Sequence, residues 1–189
     1  MSDFFPTNYE VPVKESGYMK FEQGENRFRV LVPPIIGWEY WVDKDGEVRQ
    51  KGERPQKGDK PVRVKDGQPV PAEVGDGSRH FWAMVVWNYQ LKRVQILQIT
   101  QNGIQRTIRG LEKDKDWGAP VGYDLVVVRT GEDLDTEYEV MPKPKKELDL
   151  VVSEAFKNTH INLEALFEGK DPFATNGAED LAEEVSKKT

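Results

Sequence analysis

The chain has 189 residues, 32% of them charged, with a formal net charge of −6, no cysteine and two histidines, and its mean hydropathy is −0.69. A chain of that length holds one domain with a sizeable core plus extensions, and no window approaches the roughly 18 apolar residues needed to cross a membrane. Without thiols there are no disulfides or thiolate metal sites, and with His80 and His160 far apart a metal site would have to be built mainly from carboxylates.

The opening MSDFFPTNYE is acidic and lacks the basic and apolar regions of a signal peptide. YMKFEQGENRFRVLV (18–32) alternates as a strand does, with Gly24-Glu25-Asn26 as a turn. Pro33-Pro34 predicts a bend, after which IIGWEYWV (35–42) continues extended. Residues 43–78 are dense in Gly, Pro and charge and present no core strand, so they read as an inserted loop. RHFWAMVVWNYQLKRVQILQIT (79–100) is two apolar runs about a polar centre, a β-hairpin with a basic turn. Its aromatics fall on both faces: Phe81, Ala83, Val85 and Trp87 point one way, Trp82, Met84 and Val86 the other. One set suffices for a half-buried strand, which leaves the second needing a purpose.

Ile104, Thr107, Ile108 and Leu111 then take the i, i+3, i+4, i+7 spacing of an amphipathic helix, with Arg106 and Arg109 off the stripe on an exposed face. GYDLVVVRT (122–130) and TEYEVMP (136–142) are the last two strands, joined by the polar GEDLD. PKPKK follows as a linker. Residues 147–173 scatter apolar side chains compatible with one or two short helices, and ATNGAEDLAEEVSKKT is acidic, polar and expected to be disordered.

Charge is unevenly spread. Residues 1–146 carry 23 basic and 23 acidic residues, and residues 147–189 carry 4 and 10, so the whole excess sits in the last stretch. A neutral body with an acidic end lets each part have its own partner.

Five strands with one helix between the third and fourth is the order of the OB-fold. This small barrel binds oligonucleotides on its second and third strands and on two of its loops. The expected fold is therefore mainly β: a five-stranded OB-fold barrel over 1–146, a long basic insertion (43–78) between strands one and two, and an acidic C-terminal tail over 147–189. Base stacking needs open rings beside cations that follow a phosphate chain. The candidate rings are Trp38, Tyr40, Trp41, Phe81, Trp82, Trp87 and Tyr89; the candidate cations are Lys20, Arg27, Arg29, Arg79, Lys92 and Arg93. The insertion adds Arg49, Lys51 and Arg54 within a stretch, Arg49 to Lys65, of seven basic residues against Glu53 and Asp59. Core filling competes for every ring, and a solvated loop is the simpler reading of the insertion. Phosphate-loop, nucleophile-elbow and HExxH signatures are absent. Asp114, Asp116 and Asp124 are the only candidates for a nuclease-type Mg²⁺ site, and a solvated loop beside Trp117 accounts for them more simply.

The segments YMKFEQGENRFRVL, VVWNY…VQILQIT, IQRTIRGL and GYDLVVVRTGEDLDTEYEV together resemble the single-stranded DNA-binding proteins of tailed bacteriophages, over about residues 17–142. The resemblance implies an OB-fold that coats single-stranded DNA in replication, recombination and repair, in the cytoplasm of an infected bacterium. It implies no catalysis and no cofactor. It also implies an acidic tail that recruits replication or recombination proteins and competes with DNA. The zinc subdomain of the large-phage members has no counterpart here without cysteines, and the sequence closes on SKKT rather than on acidic residues. An adaptor that docks proteins without binding DNA is the alternative.

Overall fold

The computed structural model describes residues 15–175. It is mainly β: one curled, open sheet, a half-barrel, with a few helices. The strands are β1 (Tyr18–Met19), β2 (Gly24–Val42), β3 (Lys60–Lys65), β4 (Arg79–Asn88), β5 (Arg93–Ile99), β6 (Asp124–Thr130) and β7 (Glu137–Pro142). Helix α1 is Asn102–Lys113 and helix α2 is Leu150–Lys157, and a 3₁₀ turn covers Leu163–Glu168. The strands run in the order β1-β5-β4-β2-β6-β7, with β3 also on β2.

β2 organises everything else. Its nineteen residues run through Pro33-Pro34 as a single strand, so the expected bend is a kink within one element. Two register shifts against β4, between Val30 and Val32 and between Val32 and Ile35, absorb it. Proline has no N–H to give a ladder, so bulges are where a strand tolerates it. β4 lines one edge of β2 from Phe28 to Glu39. The other edge is shared: β6 pairs with Gly24–Arg29 and β3 with Gly37–Val42. Between them the prolines leave a gap in that edge.

The insertion differs from its expectation by containing β3. It is a built flap: Val42 bridges to Val48, Arg49 and Asp59 form a two-pronged ion pair, and Val74 is fully buried. Where β3 meets β2 there is room only for glycine at 37, because a Cβ there would lie 2.2 Å from the Val64 carbonyl oxygen. Gly37→Ala should cost on the order of 1–3 kcal/mol as overpacking does, read as a lower urea midpoint. An unchanged midpoint would show that β3 is free to move off.

Two apolar clusters lie on opposite faces of the sheet. The inner one joins Phe28, Met84, Leu97, Leu125 and Val127 to Ile104 and Ile108 of α1. Thr107 points away from it and bonds the Gly103 carbonyl instead. The outer one joins Phe81, Ala83, Val85 and Ile96 to Leu163 and Leu166, with Phe156, Phe167 and Phe173 against it. Residues 150–173 thus form a strap over the outer face, and Phe173 seats its ring edge-on against Tyr18 at 5.7 Å. The folded unit continues past residue 147; residues 176–189, which hold the rest of the expected tail, lie outside the described residues. No helix among the described residues is long and apolar enough to cross a membrane.

Candidate nucleic-acid interface

The expected site residues separate into a core set and three surface groups. Phe81, Trp87 and Tyr40 are core, exposed by 0%, 6% and 8%. For the hairpin this answers what the second set of rings is for: Phe81 packs 6.0 Å from Phe167 of the strap. Phe81 sits in a second core completed by the chain's own later residues.

The first surface group lies at the gap in the β2 edge. Ile36 and Trp38 of β2 stand across from Trp82 and His80 of β4, and Trp38 meets His80 edge-on at 5.2 Å. With nothing pairing the other edge of β2 between Arg29 and Gly37, a groove of about 590 Å³ opens, floored by Val30, Pro34, Met84 and Ile108 and rimmed by Trp82 and by Arg109, which pairs with Glu112. On the helix side of the same indole is a second depression, lined by Arg106, Arg109 and Lys113. Trp82 and Arg109 border both. An apolar slot with an indole at its mouth accepts a flat ring, and guanidinium groups beside it meet the anionic chain that carries the ring. Arg106, Arg109 and Lys113 were not among the sequence candidates. Their i, i+3, i+7 spacing was the available signal, since it sets three cations along one side of the apolar stripe.

The second group is the flap. Trp41, Arg49, Lys51 and Arg79 line a depression of about 300 Å³. Arg49 is committed to Asp59, whereas Lys51, Arg54 and Arg79 are exposed. Lys20 is exposed beside β1 and Lys92 at the hairpin turn. Arg93 pairs with Glu15 and donates to the Ser16 carbonyl, which ties down the segment leading into β1.

The third group surrounds Asp124, whose side chain is wholly buried. Its Oδ1 accepts from Arg29 Nη1 at 3.1 Å and from the Tyr89 hydroxyl at 2.9 Å, and its Oδ2 accepts from Arg27 Nε at 2.9 Å. Arg29 also donates to the carbonyls of Val121 and Lys146, so each of its three nitrogens has a partner. Burial opposes the charge on Asp124, but hydrogen bonds from Arg27, Tyr89 and Arg29 outweigh it and hold the carboxyl below its usual range. The same geometry pushes the Tyr89 hydroxyl up to about 12, through burial first and then through its bond to Asp124. One expected phosphate contact is corrected: Arg29 is a buried structural cation, whereas Arg27 bonds Asp124 with 41% of its side chain still exposed.

The three candidate metal ligands are not brought together. Asp124 is enclosed by cations, Asp114 and Asp116 are exposed after α1, and no cluster of three His, Cys, Asp or Glu able to hold a metal exists among the described residues. No family model matches the chain, and neither a curated protein nor a solved structure matches it.

Proposed function

We propose that the chain binds and coats single-stranded DNA, without catalysis and with little sequence preference, in phage replication and recombination within a bacterial host. On this reading β2, β4, β5, β6 and β7, with α1 after the third of them, are the five strands of an OB-type barrel. The observation that carries it is Trp82 at the mouth of an apolar groove, with Arg109 on its rim and Arg106 and Lys113 beside it. The indole supplies a stacking surface indifferent to base identity, and the helix cations supply counterion release.

Titration with oligo-dT should quench tryptophan fluorescence, and salt should reverse it. Trp82→Ala should weaken binding by about 1–3 kcal/mol, the worth of one stacked base. Because Trp82 also packs on the inner core, Arg106→Gln/Arg109→Gln is the companion variant, expected to flatten the salt dependence while leaving the melting temperature in place. No response of the intact chain to any single strand would refute the reading.

A protein-docking adaptor is the second reading, favoured by the groove's apolar lining and by Ile36 and Val121, 40% and 42% exposed at its edge. It predicts capture of replication or recombination proteins by a chain that ignores oligo-dT.

A further inference from the structure

Resting on the DNA-binding reading, we infer that Arg27 and Lys146, set about the ring of Tyr89, form a second, separate site for the phosphodiester backbone of the single strand. The residues come from three distant stretches. Arg27 is on β2, Tyr89 opens the β4–β5 turn, and Lys146 lies in the Pro/Lys segment after β7. That segment is a linker in sequence. In the fold, the Lys143 amide bonds the Asp124 carbonyl at 2.9 Å and the Lys146 amide bonds the Gly122 carbonyl at 3.3 Å, which holds it along β6. It is therefore held in place, and its lysines are presented rather than dangling.

Charge makes the site more than a structural ion network. Asp124 is held by buried Arg29 at 3.1 Å and by Arg27 at 2.5 Å, and with Lys146 and Asp149 the cluster sets three cations against two carboxylates. The side chains of Arg27 and Lys146 remain 41% and 42% exposed. The Lys146 ammonium is 3.8 Å from Asp124 and 4.0 Å from Asp149, at the limit of pairing with either. The Arg27 guanidinium carbon is 4.9 Å and the Lys146 ammonium 5.7 Å from the Tyr89 ring centre. A half-buried ring thus carries two partly exposed cations, with a surplus of positive charge over the nearby carboxylates. Nothing in the fold requires that surplus, and a phosphate group would neutralise it. With both cations on the ring, the ligand here is the backbone rather than a base. Trp82 within β4 and Tyr89 just past its end are seven residues apart, some 24 Å at about 3.4 Å per strand residue, so one strand could engage both sites.

Lys146→Gln removes an exposed ammonium and leaves the carbonyl that Arg29 uses, so its fold should be intact. For oligo-dT we expect the slope of log K against log salt to fall by about 0.7, and affinity at 0.15 M salt to drop about fourfold. Arg27→Gln/Lys146→Gln should lose about twice that slope. Lys157→Gln, which removes one exposed cation at the end of α2, should change neither. Equal losses for Lys146→Gln and Lys157→Gln would reduce the effect to net charge and overturn the site, as would a loss seen with oligo-dT but not oligo-rU, since a phosphate contact reads neither sugar nor base. If the intact chain ignores oligo-dT, the parent reading fails and takes this site with it. If the chain binds but Lys146→Gln binds equally well with an unchanged slope, only this site fails.

Discussion

Asp124→Asn is expected to lower the stability by about 3–5 kcal/mol, the cost of breaking a buried ion pair by removing one partner. The reason is the asymmetry between its two arginines. Arg27, 41% exposed, can return to water when the carboxylate goes. Arg29, 3% exposed and fixed by two carbonyls, cannot. The variant would keep a buried guanidinium with no anion, in a domain whose whole stability is on the order of 5–15 kcal/mol. The same network sets the acid response. Asp124 titrates lower in the folded chain than its unfolded value of about 3.9, so its contribution is complete above that pH and is lost as pH falls through the folded value. Urea midpoints measured from pH 7 to pH 3 should therefore fall for the native chain and fall less steeply for Asp124→Asn, from a lower start. A variant as stable as the parent at pH 7 would show that the pocket tolerates an unmatched cation and that the network is incidental.

What the sequence reveals here is what is local. The hairpin and α1 are written in two-residue and 3.6-residue periods within single windows, and they stand where those periods put them. The bend at Pro33-Pro34 was also legible as a break. Its outcome, one long strand with a gap in one edge, depends on where β3 and β6 attach and so is nonlocal. The groove at that gap was invisible for the same reason. Rings on both faces of β4 suggested a ligand, because a strand pattern says which side chains point outward and not whether a later segment will cover them. The Asp124 network hid in plain view. A charged residue opening the apolar run DLVVV calls for a buried partner, but its neighbour Arg29 bonds a carbonyl 117 positions away.

Shortening the chain to end at residue 147 is expected to abolish cooperative folding, whereas ending it at Thr175 should leave the melting temperature unchanged. Residues 150–173 place Val152, Leu163 and Leu166 out of water, each contributing about 1.5–3 kcal/mol. That sum, about 5–9 kcal/mol even as an upper bound, is comparable with a domain's entire margin. The cut at 147 would also bare Phe81, Ala83, Val85 and Ile96 on the outer face. Dye binding and aggregation should follow, and a 1–147 chain that melts cooperatively at the parent's temperature would make the strap a mere appendage. The consequence for function concerns the acidic end. Of its six excess negative charges, four lie within 147–175, largely on the strap, and two beyond it. Any gain in DNA affinity after a cut at 147 would mix lost repulsion with exposed apolar surface that binds nonspecifically. Comparison of the full chain with one ending at Thr175 removes only the distal charges from an intact fold. If those charges compete with DNA, oligo-dT should bind the shorter chain more tightly, and the two chains should differ most at low salt, where screening is least. Equal affinities at low salt would leave the distal acidic residues no part in competing for DNA.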